Sequence, residues 1–171
     1  QRVRALRHPA RTRAHRGVST IELFHLRRVR DKPGAVDLLV CHAGLTPEAA
    51  LAVLHQAAGG AKPRVALAND DAARLLIVAL ADTGFIARRA PSDEFDPAQC
   101  ASQALTAVLP RCAPGLADAA GALLLQGDWE QALDTALQHL QVHRPADDAD
   151  RLRLAQAAID CGLVRGVPGR T

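Results

Sequence analysis

The chain has 171 residues, 49% of them hydrophobic, a formal net charge of +3, three Phe, one Trp, and neither Met nor Tyr. That apolar content excludes an intrinsically disordered chain, and no apolar run approaches the 18 residues that would propose a membrane span. Cys41, Cys100, Cys112 and Cys161 stand far apart with no CxxC pair, which argues against zinc ribbons, thioredoxin-type redox sites and a dense secretory disulfide framework. They read as half-buried thiols in a reducing compartment, where free Cys behaves as a small hydrophobe.

The charge is unevenly spread. Residues 1–30 carry nine Arg against the single acid Glu22, whereas residues 31–171 carry 12 Lys and Arg against 17 acids. A basic arm over 1–30 is therefore expected on an acidic body, with a helical domain over 31–163 and a short tail over 164–171. Residues 1–20 are Arg-rich and free of acids, with Ser19 and Thr20 at the end, a composition like that of an organellar transit peptide or its remainder. Within the arm, Arg2, Arg4, Arg7, Arg11, Arg13 and Arg16 are the residues expected to touch a partner, either rRNA or an acidic protein surface.

Ile21 to Arg30 is expected as a short helix, broken by Asp31-Lys32-Pro33-Gly34. Residues 35–43 form a compact apolar run ending at Gly44. Thr46 then caps a helix with Pro47 at its first position, running to Gly59-Gly60. Arg64 to Leu67 alternates like a short strand or an extended connection. Asn69 caps a helix over Asp70 to Asp82 that stops at Gly84. After a polar loop over 90–97, Asp96 and Pro97 open another helix, bounded by Pro110 and Pro114.

The clearest pattern runs from Leu116 to Arg144. Leu116, Ala119, Ala120, Leu123, Leu124 and Gly127 share one helical face, and Trp129, Ala132, Leu133, Ala136, Leu137 and Leu140 share another. Gly127 provides the turn between the two and Asp128 the cap of the second helix. The hairpin core is thus expected at Leu123, Gly127, Trp129, Ala132, Leu133 and Ala136. A last helix follows Asp147, Asp148 and Asp150, acids placed to favour a helix start, and ends at Gly162. The expected fold is all-α: about seven helices in antiparallel hairpins.

Residues 126–140, QGDWEQALDTALQHL, resemble the second half of a tetratricopeptide or pentatricopeptide hairpin, with Gly127, Trp129 and Ala132 at the matching places. Gly84 ahead of Phe85 is a fainter echo. The resemblance implies an α-solenoid whose concave face holds other chains. Pentatricopeptide proteins commonly read RNA through a polar residue early in each repeat. The matching positions here hold Ala117 and Arg74, neither of the kind that code uses. In size, helix count and lack of that code, the chain resembles the short pentatricopeptide-type accessory subunits of the F1 head in euglenozoan mitochondrial ATP synthase. A rival resemblance covers residues 36–89. GLTPEAA at 44–50 and NDDAARLLIVALADTGFIARR at 69–89 are similar to the C-terminal domain of bacterial-type ribosomal stalk proteins. It implies strands near 36–41, 64–68 and 85–88, but leaves no room for that domain's first helix and lacks its surface Lys.

No P-loop, GxGxxG, GxSxG, HExxH or EF-hand pattern occurs. His139 and His143 lie one helical turn apart and read as solvated residues, and Cys41 beside His42 does not form a nucleophile–base pair on a helix, where neighbours point apart. The expectation is a non-catalytic subunit of a large mitochondrial assembly on the matrix side. ATP synthase or another energy-converting complex is the first choice and the mitochondrial ribosome the second. No cofactor, metal, membrane span or small-molecule substrate is expected.

Overall fold

The computed structural model describes residues 17–142 and 148–164. Among them are seven α-helices, a single 3-10 turn and a three-stranded antiparallel sheet, so the chain is mostly helical but not all-α. Two hydrophobic cores divide the elements. The first lies between the sheet and helices α1 to α3, and the second among α4 to α7.

The sheet unit begins with a correction. Ile21 to Arg30, expected as a helix, instead gives strand β1 over Ser19–Leu26. Ser19 to Leu26 of the presumed arm thus join the sheet, and Ile21 and Leu23 enter its core. Ile21 and Leu23 point into the first core, while Glu22 between them points to the other face. A two-residue period puts Ile21 and Leu23 on one side of a pleated surface and Thr20 and Glu22 on the other. Helical spacing over so short a stretch could not exclude that arrangement.

The second correction concerns Asp31 to Gly34, which starts a helix rather than breaking one. The Asp31 carboxylate accepts from the Gly34 N–H at 2.9 Å, and α1 runs over Lys32–Ala43. Pro33 sits in its first turn, where a missing N–H costs nothing. The apolar run at 35–43, and the strand that the stalk-type resemblance put at 36–41, are therefore part of this helix.

The remaining elements follow their local signals. Helix α2, Pro47–Ala58, is capped by Thr46, whose hydroxyl accepts from Ala49 N–H at 3.2 Å. Strand β2 covers Arg64–Leu67. Helix α3, Asp70–Thr83, is capped by Asn69 and ended by Gly84 at φ +97°. A side chain at Gly84 would meet the Arg28 carbonyl oxygen at 2.4 Å, so the position needs both the left-handed backbone and the missing Cβ. Strand β3, Phe85–Arg89, completes the sheet in the order β2-β1-β3. The unit thus reads β1-α1-α2-β2-α3-β3, with all three helices packed into one core against the sheet.

The helical unit contains α4 over Pro97–Val108, α5 over Pro114–Leu125, α6 over Trp129–Val142 and α7 over Asp148–Asp160. Helices α5 and α6 form the expected hairpin. Gly127 takes φ +82° and the Asp128 carboxylate accepts from Gln131 N–H at 3.2 Å. Helix α6, however, packs against α4, α5 and α7 together, and α4 also packs on α7. In a solenoid each hairpin touches only its sequence neighbours. Here the hairpin belongs to a four-helix cluster beside a sheet.

Candidate functional site

Two features of the helical unit bear on function: a half-covered hairpin and the seam that fixes it to the sheet. Helix α5, PGLADAAGALLL, is apolar nearly all round, a composition usually found in a helix covered on all sides. Among the described residues only α6 and the turn at Leu109–Arg111 pack closely on it. Leu116 and Ala120 are buried, but Ala119 and Ala122 are exposed, and Leu125 at the hairpin tip is 92% exposed. An open groove of about 490 Å³ runs along the hairpin between Gly115, Leu116 and Ala119 on α5 and Thr135, Gln138 and His139 on α6. It is a mostly apolar trough.

Of the residues expected in the hairpin core, Ala132, Leu133 and Ala136 are fully buried, Leu123 and Trp129 lie at the margin of the core, and Gly127 is exposed at the turn. Trp129, expected within that core, is thus only partly buried. The small alanines let α6 approach its neighbours closely, and the indole covers the edge. Arg2, Arg4, Arg7, Arg11, Arg13 and Arg16 lie outside the described residues, as do His143 and the chain after Val164.

The seam is a set of ion pairs that sequence reading missed. Arg74 of α3 grips Asp160 of α7 with two hydrogen bonds, Nε at 2.9 Å and Nη2 at 2.8 Å. Arg89 of β3 stands 3.7 Å from the same carboxylate and 3.2 Å from Asp70. Asp160 is only 3% exposed, so the bidentate pair supplies what its lost hydration would have. The Arg74 guanidinium is correspondingly held above its ordinary pKa, chiefly by the hydrogen bond to Asp160. Two residues on, Gly162 crosses to the other side of β3, where a Cβ would fall 2.5 Å from the Phe24 ring and 2.9 Å from Arg88 Cβ. The end of α7 thus straps the outer edge of β3 and shields an otherwise open strand. Arg74, considered earlier as an RNA-code position, is occupied in this strap.

On the sheet face opposite the first core, Glu22 lies between Arg88 and Arg64 in neighbouring strands, 2.7 Å and 3.7 Å away. Arg88 also stacks over Phe24 at 4.4 Å. The one acid of the first 30 residues is thus a cross-strand partner at the sheet centre. At the end of the sheet a polar recess of about 390 Å³ is lined by Ser19, Arg64, Arg89, Glu94 and Phe95. Lys32 and His55 meet at 2.7 Å and tie α1 to α2.

The cysteines divide by setting. Cys41 is exposed on α1, and Cys112 donates to the Val108 carbonyl. Cys161, buried at the end of α7, donates to the Pro97 carbonyl at 3.4 Å, in the first turn of α4, the helix that also carries half-buried Cys100. Among the described residues no group of three or more His, Cys, Asp or Glu is placed to hold a metal, and no single helix is long and apolar enough to cross a membrane. Compared with protein-family models, with curated proteins and with solved structures, the chain finds no match.

Proposed function

We propose that this chain is a non-catalytic accessory subunit that works by holding other polypeptides in a large assembly. The observation that carries this reading is α5, an almost wholly apolar helix at the rim with one flank covered and Leu125 in solvent. Burying such a flank is worth about 25 cal/mol per Å², and a partner helix laid along the trough supplies the missing cover. The strap at Asp160 presents the hairpin rigidly from the sheet unit, as a docking element requires.

A specific observation bears on which assembly. The order β1-α1-α2-β2-α3-β3 contains the helix that the stalk-type resemblance had lacked, α1 at Lys32–Ala43, with the first strand moved upstream to Ser19–Leu26. This supports the ribosomal reading, in which the Arg-rich arm contacts rRNA, over the ATP synthase reading, which rested on size, helix count and the lack of an RNA code. The tetratricopeptide-like hairpin then serves as a protein-contact element attached to a stalk-type domain. Placement in the mitochondrial matrix rests on the composition of residues 1–20.

The test is native co-sedimentation of the tagged chain. Association with ribosomal particles that is lost on nuclease treatment is expected, and Leu125→Lys with Ala119→Lys should release the chain without unfolding it. Migration with F1 subunits, insensitive to nuclease, would move the assignment to an energy-converting complex. A chain that sediments alone at cellular concentration sinks the accessory-subunit reading.

A further inference from the structure

We propose that the fold carries a binding surface for single-stranded RNA, in which a base enters the groove between Phe24 and helix α6 and phosphates lie along the exposed turn Arg27–Arg30. This surface belongs to the folded body and is separate from the arm of residues 1–16. The groove measures about 380 Å³ and opens between α6 and the sheet face opposite the first core, with Phe24, Ile86 and Leu163 as an apolar floor. The His25 ring stands 6.5 Å from that of Phe24, centroid to centroid. Pockets of about 300 Å³ and upward take small ligands, so one base fits here and a duplex does not.

The two sides of the groove carry opposite charge, His25 and Arg27 on the strand side, Glu130 and Asp134 on the helix. A phosphate is repelled from α6, whereas amino and hydroxyl groups of a base or ribose donate well to carboxylates. The charge therefore orients a nucleotide, base inward and phosphate toward Arg27.

The turn provides the partners for the phosphates. Arg27 donates its backbone N–H to the Gly84 carbonyl and Arg30 to that of Thr83, each at 2.9 Å, and the Arg28 carbonyl fills the space left by the absent Gly84 side chain. The backbone is thus fixed, while the side chains of Arg27, Arg28 and Arg30 stand exposed. Among the described residues none of these three has a carboxylate within ion-pair distance, although Arg74, Arg88, Arg89 and Arg111 all do. Asp31, the nearest acid in sequence, accepts from the Gly34 N–H instead. Guanidinium groups without an acid partner, on a fixed backbone beside an aromatic groove, are the combination that holds single strands: the cations track the phosphates and a ring stacks the base. An acidic peptide matches the arginines but meets Glu130 and Asp134 in the groove. Insertion into a bilayer is not favoured, since Val29 is the one apolar residue of the turn and is only 40% exposed. In taking RNA as the polymer, the inference rests on the ribosomal reading above. Its assay needs no ribosome, so binding to RNA and co-sedimentation with ribosomal particles fail separately.

The experiment measures binding of a short fluorescein-labelled single-stranded RNA to the full chain by anisotropy, between about 50 and 200 mM salt. Arg27→Gln, Arg28→Gln and Arg30→Gln combined should weaken binding about tenfold or more at low salt and lower the salt slope by about 2. Phe24→Leu should weaken it about fivefold or more with the slope unchanged. Circular dichroism checks both variants, and a map of the wild-type chain decides alone if either unfolds. RNA containing 5-iodouridine, irradiated in the complex, should crosslink to the tryptic peptide 17–27, which carries Phe24 and His25. Unaltered binding in the triple variant, or crosslinks only in peptides before residue 17, would overturn the proposal by assigning the RNA to the arm. So would a triple variant that loses polyglutamate or phosphatidylglycerol vesicles as steeply as RNA, with no crosslink at 17–27, which describes a patch that takes any acid.

Discussion

The sheet unit is closed largely by large side chains: Phe85, Ile21, Leu23 and Ile77 are all but fully buried, with Ala35, Ala50 and Ala73 where its helices come closest to their neighbours. The helical unit is closed by small ones, with Ala101, Ala120, Ala132 and Ala136 fully buried between Leu105, Leu133 and Leu154. Helices laid on a sheet leave a wide gap that branched and aromatic residues fill, whereas helices facing each other over alanine come close and need little more. One Ala- and Leu-rich chain thus contains two kinds of core. They differ in where a lost side chain hurts, and in how much of each unit is left open to a partner.

The largest expected effect is Phe85→Ala, which empties the centre of the sheet unit and should cost about 3–5 kcal/mol, read by denaturant unfolding. Smaller is Asp160→Asn at the strap, about 2–3 kcal/mol, because Arg74 keeps some water while losing its anionic partner. If the two units unfold in separate transitions in Asp160→Asn but in one in the wild type, the strap is what couples them. Trp129→Ala should cost only about 1–2 kcal/mol, since the indole lies at the core margin. A loss of about 4 kcal/mol or more would restore it as the hairpin anchor and remove the contrast between small-residue and large-residue packing.

A pH effect distinguishes the units further. Two hydrogen bonds from the Arg111 guanidinium, one of them at 2.7 Å, hold the Asp150 carboxyl below the usual carboxylate range. A depressed folded value means stability that is present above about pH 4 and lost as the pH falls through the lower folded value. The helical unit should therefore lose stability on acidification, and Arg111→Gln should flatten that slope in acid titration followed by helical signal. The smallest effect on stability is Leu125→Lys, within about 0.5 kcal/mol, yet on the proposed function it removes assembly. Strong destabilisation at that site would mean the tip already has a cover within the chain.

Local chemistry made much of this molecule legible from its residues. Thr46, Asn69, Asp96 and Asp128 each accept a hydrogen bond from the first turn of the helix they precede, and Gly84, Gly127 and Gly162 take positive φ where helices were expected to stop. Such signals act over four or five residues, so they survive without knowledge of the fold. Asp31 belongs to the same group and misled only because Pro33 and Gly34 look like breakers when the cap is not recognised.

What the sequence by itself determined was therefore where most of the helices, α1 excepted, begin and end, and that small residues would line the α5–α6 hairpin. Only the tertiary structure decided that Ser19–Leu26 is a central strand, because a strand is stabilised by partners 40 to 70 residues away. It alone brought Arg74 to Asp160 and the Cys161 thiol to the Pro97 carbonyl. Charge pairing and hydrogen bonding depend on distances of a few ångström, and a linear spacing of 64 or 86 residues says nothing of those until the chain has folded.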